Sequence, residues 1–126
     1  MDNPIVEKIL KQGIASVNLS MLDDTSRKKI LGDVGDKLYK QGKFPEAVEM
    51  LAKAGDFEKL KALGSMFLKE SKGELAAICL IPTKERQELN EAAVLCIQAK
   101  NYKLASKAYE AAGNAQMAQF IKKNFC

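Results

Sequence analysis

Apolar residues in this chain recur at intervals of three and four, and the stripes they form are cut into short lengths by residues that start or stop helices. Asn3-Pro4 places an N-cap before a proline suited to the first helical position, and Gly13 stops the stripe that Ile5 begins. Asp24, Thr25 and Ser26 offer caps for a long helix that Gly42 terminates, and Pro45 opens the next after Phe44. Ala54-Gly55-Asp56 and Ala112-Gly113-Asn114 each supply a glycine for a left-handed helix end and then a short polar residue to cap the following helix. Between them, Ile81-Pro82-Thr83 interrupts the helix in a different way, because proline cannot continue it, and Thr83 is the expected cap of its successor. The pattern predicts about nine helices, over 4–12, 15–22, 26–41, 45–54, 57–71, 73–81, 84–99, 102–112 and 114–124. No segment alternates with the period of two that a half-buried strand requires, so the fold class is all-α.

Three stretches align on one another at an offset of 29 residues. Gly35, Gly64 and Ala93 share one column; Ala47, Ala76 and Ala105 share another, and Leu51, Leu80 and Tyr109 a third. Small residues let paired helices approach, and the bulky residues beside them (Leu38, Phe67, Leu51, Leu80, Tyr109) fill the grooves. Gly35, Gly64, Ala93, Ala47, Ala76 and Ala105 are therefore the expected packing positions of a stack of helical hairpins. One helical-repeat domain over 1–126 is expected. It has repeats at about 26–55, 56–83 and 84–113 and a C-terminal helix over 114–124. Residues 1–25 form an atypical N-terminal cap, because Lys11-Gln12-Gly13 and Met21-Leu22 match later copies and little else there does.

The run Gly35, Leu38, Gly42, Phe44, Ala47, Leu51, Ala54 resembles a tetratricopeptide repeat, and Ala93, Tyr102, Ala105, Tyr109 and Ala112 repeat most of that signature. The resemblance covers roughly residues 31–121 and implies a right-handed α-α superhelix of antiparallel helical hairpins. The family's unit is about 34 residues long. A 29-residue unit shortens the second helix or its connection, so the family's superhelical parameters do not carry over. Phrases such as Gly42-Lys43-Phe44-Pro45-Glu46-Ala47 and Ala54-Gly55-Asp56-Phe57 are also similar to helical-hairpin segments of vesicle-coat and intraflagellar-transport scaffold subunits. The resemblance implies a non-enzymatic protein–protein interaction module or scaffold that presents its surface to a peptide, a helix or a neighbouring subunit of a larger assembly. By the same analogy the first helix of each pair lines a groove carrying Tyr39, Lys40, Leu68, Lys69, Val94 and Ile97. Asp36 stands where the family's carboxylate clamp needs Asn, which disfavours recognition of chaperone tails.

Composition narrows the chemistry. The chain has no histidine, which removes the commonest general base, the Ser-His and Cys-His nucleophile pairs and most transition-metal sites. Its glycines are scattered rather than gathered into a phosphate loop, and Asp23-Asp24 sits where helix capping explains it. No enzymatic activity, cofactor or metal is expected. Cys79, Cys96 and Cys126 show no metal or redox spacing, and Cys96 shares a column with Leu38 and Phe67. The net charge of +4 is spread among interleaved acidic and basic residues, so it favours no partner strongly. The alternative function is a nucleic-acid-binding helical repeat using a face of Lys100, Lys103 and Lys107. The N-terminal run Met1-Asp2-Asn3-Pro4 lacks a signal-peptide pattern and no stretch is apolar enough to span a bilayer, so a cytoplasmic location and no membrane insertion are expected.

Overall fold

The computed structural model describes residues 3–126; Met1 and Asp2, part of the run read for a signal peptide, lie outside them. Its elements are helical throughout, with no strand among the described residues. They divide into two compact units, Met1–Asp56 and Phe57–Cys126.

The first unit holds α1 (Pro4–Gln12), α2 (Asp24–Lys40) and α3 (Phe44–Lys53). Asn3 Oδ1 accepts from the Ile5 amide at 2.8 Å, which fixes the start of α1. The cap of α2 is Asp23, whose Oδ1 accepts from the Ser26 amide at 2.7 Å, rather than Asp24, Thr25 or Ser26. That bond holds the Asp23 carboxyl below its ordinary value. The helix expected over 15–22 does not form. Two 3-10 turns, Ile14–Ser16 and Leu19–Met21, replace it, so the described residues contain eight α-helices rather than about nine. The physical reason is local: Asn18 Oδ1 accepts from both the amide and the hydroxyl of Ser20, and Ser16 Oγ donates to the Gly13 carbonyl. Short polar side chains here offer the backbone an alternative to the helical ladder.

α2 and α3 pack closely, and the contacts give their sense. A Cβ on Gly35 would meet Leu51 and the Ala47 carbonyl, whereas one on Gly32, a turn earlier, would meet Ala54, a turn later. The helices are therefore antiparallel. α1 lies on this pair through Val6 and Ile9, which join Ile30, Leu31, Val34, Met50 and Ala54 in one buried cluster. Glu7 and Lys37 tie α1 to α2 at 3.3 Å.

The second unit holds α4 (Phe57–Lys69), α5 (Gly73–Leu80), α6 (Arg86–Gln98), α7 (Tyr102–Ala111) and α8 (Ala115–Phe125). Each helix packs on the next, and α4 also meets α6 while α5 meets α7. α5 buries residues on several faces (Gly73, Ala76, Ala77, Cys79, Leu80), as a helix enclosed by neighbours must. Much of this core is alanine: Ala76, Ala77, Ala92, Ala93, Ala105, Ala108, Ala112 and Ala118 are all buried. α6 begins at Arg86 rather than at 84. Pro82 leaves the chain in a 3-10 turn, Ile81–Thr83, and Thr83 Oγ1 donates back to the Leu80 carbonyl at 2.7 Å. Thr83 thus secures the end of α5 instead of capping α6 by itself.

The 29-residue offset reappears in the backbone. Among the described residues, those with positive φ are Gly13, Gly42, Ser71 and Lys100 in one register and Gly55, Lys84 and Gly113 in another, each set spaced by 29. At Gly42 the amide donates to the Tyr39 carbonyl (3.0 Å) and the Lys43 amide to that of Leu38 (3.0 Å). The same two bonds run from Ser71 and Lys72 to Leu68 and Phe67, and from Lys100 and Asn101 to Ile97 and Cys96. This paired arrangement is the Schellman helix end, which turns the chain sharply while satisfying the last carbonyls. Ser71, Lys84 and Lys100 adopt a conformation that favours glycine, at about 1 kcal/mol each. Gly13 shares the register but not the geometry, since its ψ of 161° is extended.

Candidate functional site

The backbone register fixes where the expected groove residues sit. Tyr39, Leu68 and Ile97 occupy the same position in the last turn of α2, α4 and α6, each giving its carbonyl to the helix end. Their side chains are half-buried, while Lys40 and Lys69 are exposed, and Val94 is 46% exposed. In the first unit Tyr39 packs edge-on against Phe44, with ring centroids 5.4 Å apart. In the second, Leu68 and Lys69 end α4, and Val94 and Ile97 lie on α6, which packs against it. The six expected packing positions, Gly35, Gly64, Ala93, Ala47, Ala76 and Ala105, are all buried.

One concave feature of the first unit was not read from the sequence. A hollow of about 480 Å³ opens between α1, the following 3-10 turn, α2 and α3. Its floor is apolar, made by Ile9, Leu10, Ile14, Val34, Leu38 and Met50, and Lys43, Glu46 and Glu49 stand at its rim. A second, more open hollow of about 570 Å³ shares Leu10 and Lys43 with the first and adds Glu7, Lys11, Lys37, Lys40 and Gln41. Lys40, one of the expected groove residues, thus lines this second hollow. The sequence signal was present in Ile9, Leu10 and Ile14, but those positions read as the packing of a cap.

The second unit offers smaller, more polar hollows, one beside Lys61, Ser65, Glu85 and Glu88 and another beside Lys84, Lys107 and Glu110. Lys61 bonds Glu85 at 2.9 Å, which raises its pKa. Lys100, Lys103 and Lys107 are all exposed. The last turn carries a separate aromatic group: Tyr102 stacks on Phe125 at 4.6 Å, and half-exposed Phe120 meets Phe125 edge-on.

Among the described residues no three His, Cys, Asp or Glu side chains are grouped to hold a metal ion. Burial pushes the Cys79 thiol up to about 12, and burial with the Glu74 charge pushes Cys96 up to about 11, the reverse of what a nucleophile needs. Both thiols are held protonated by the fold, so the stability this contributes is complete below the unfolded value near 9 and is lost as pH rises through about 11 for Cys96 and about 12 for Cys79. Chemical-denaturation midpoints should therefore fall steadily above pH 9. In the folded chain below that pH a maleimide should modify exposed Cys126 alone, against all 3 cysteines in denaturant.

No described helix is long and apolar enough to cross a membrane. No protein-family model matches the chain, and no curated protein or solved structure does either.

Proposed function

We propose that this chain is a non-enzymatic α-helical repeat module that holds a segment of another protein, in the manner of the tetratricopeptide-like scaffolds it resembles, as one cytoplasmic repeat domain wound as a right-handed superhelix. The observation that carries the reading is the recurrence of one helix end at Gly42, Ser71 and Lys100, which sets Tyr39, Leu68 and Ile97 at equivalent points of successive units. A repeat of this kind supplies a surface rather than a pocket, and surfaces suit macromolecular partners. The partly exposed apolar positions Leu68, Val94 and Ile97, flanked by Lys69, give that surface an anchor for an apolar segment.

The test is a capture experiment on the whole chain, with and without nuclease. Leu68→Asp with Ile97→Asp is expected to abolish retention of the protein partner while leaving helicity by circular dichroism unchanged, and nuclease is expected to have no effect. Retention that vanishes with nuclease, or with charge reversal at Lys100, Lys103 and Lys107, would instead establish the nucleic-acid alternative.

A further inference from the structure

The hollow on Met1–Asp56 joins two chemistries within one side chain's reach. Leu10 and Lys43 line both the apolar floor and the basic hollow beside it, so a ligand seated there must present apolar groups and an anionic group side by side. Part of the charge at this rim is already paired. Glu7 is held by Lys37, and Glu49 by Lys53 at 3.3 Å. Among the described residues Lys11, Lys40 and Lys43 have no carboxylate partner and stand against Glu46 alone. All three lysines are exposed, on α1, on α2 and in the turn between α2 and α3.

The shape of the walls decides what kind of segment fits. The walls are helices, a 3-10 turn and the helix ends at Gly13 and at residues 41–43, whose amides bond back to Ile9, Lys37 and Leu38, so an extended strand finds no edge to pair with. An amphipathic helix needs no backbone partner, and it carries an apolar stripe with acidic residues immediately beside it. We propose that this unit binds an amphipathic helix of a partner protein, with apolar side chains filling the hollow over Ile9, Ile14, Val34, Leu38 and Met50 and carboxylates meeting Lys11, Lys40 and Lys43. This rests on the reading of the chain as a protein-binding module, but uses a different surface from the one built around Leu68 and Ile97.

The experiment uses the full chain and two fluorescein-labelled synthetic helices of about five turns. Both carry leucine along one stripe; one has glutamate on its flanks and the other lysine. Fluorescence anisotropy is expected to show saturable binding of the acidic helix, roughly tenfold or more tighter than the basic one, with the difference shrinking as salt is added. Lys11→Glu, Lys40→Glu and Lys43→Glu together should invert the preference, and Ile14→Asp should weaken both helices alike. Equal affinity for the two helices, a preference untouched by the triple reversal, or binding of laurate with no binding of either helix would each overturn the proposal. Leu68→Asp with Ile97→Asp should leave the anisotropy titration intact; loss of binding in that folded variant would overturn the location. Failure of the repeat surface to capture a partner is thereby distinguished from failure of this hollow.

Discussion

Gly73→Ala is expected to destabilise the second unit by about 3 kcal/mol and to lower its melting temperature by roughly 10 °C or more. An ideal Cβ at this position would lie 2.2 Å from Leu95 Cβ and 3.1 Å from the Leu95 carbonyl carbon. Backbone cannot rotate out of the way as a side-chain tip can, so the start of α5 or the end of α6 must move. That movement would also open the contact in which Cys96 Sγ donates to the Gly73 carbonyl at 3.6 Å. Gly32→Ala provides the opposite sign. Its nearest neighbour would be Ala54 Cβ at 4.0 Å, and alanine is about 1 kcal/mol more favourable than glycine inside a helix. Chemical denaturation of the two variants should move the midpoint in opposite directions. Equal or greater stability in Gly73→Ala would mean that α5 and α6 do not approach as described.

Gly73 also shows which parts of this fold could be read from the sequence. In the 29-residue register it stands where Phe44 and Tyr102 stand, so the column predicts an aromatic ring and carries no hint of a close approach. Only the meeting of α5 with α6, across more than twenty residues of chain, explains the glycine. Helix ends behaved differently, because capping and left-handed turns are set within a few residues. Asn3, Gly42, Gly55, Gly113 and Asn114 could all be read directly, and the Asn114 side chain does accept from the Met117 amide at 3.3 Å. Ser71, Lys84 and Lys100 hold the same left-handed turns without the residue that announces them, and only their register gives them away. The segment after Gly13 failed for a related reason. Its apolar residues have helical spacing, but Ser16, Asn18 and Ser20 divert the hydrogen bonds. The hollow beside Ile14 depends on where that non-helical segment comes to rest against α2 and α3, which no local rule specifies. Lys40 illustrates the limit: reading by analogy expects it in a groove with Leu68 and Ile97 and gives no hint that within its own unit it also borders a hollow with Lys11 and Lys43.

Gly64→Ala and Leu80→Ala should each be costly alone and compensate in combination. Leu80 is fully buried, and truncating it leaves a void worth about 2–5 kcal/mol. A Cβ on Gly64 would lie 2.4 Å from Leu80 Cγ and 2.5 Å from its Cδ2, an overlap that forces the leucine out of its rotamer at about 1–3 kcal/mol. In the double variant the new methyl enters the space that the leucine vacates. The combined loss should then fall short of the sum by at least about 1 kcal/mol, well outside the additivity of independent sites. Gly35 and Leu51 form the corresponding pair in the first unit, where the nearest approach is a looser 2.9 Å. The same cycle there should give the same sign and a smaller coupling. A coupling at one pair and none at the other would leave a single glycine–leucine contact without a repeat behind it. Coupling at both, graded with the two distances, requires that one packing rule built α2 on α3 and α4 on α5, which is what a helical repeat means in energetic terms.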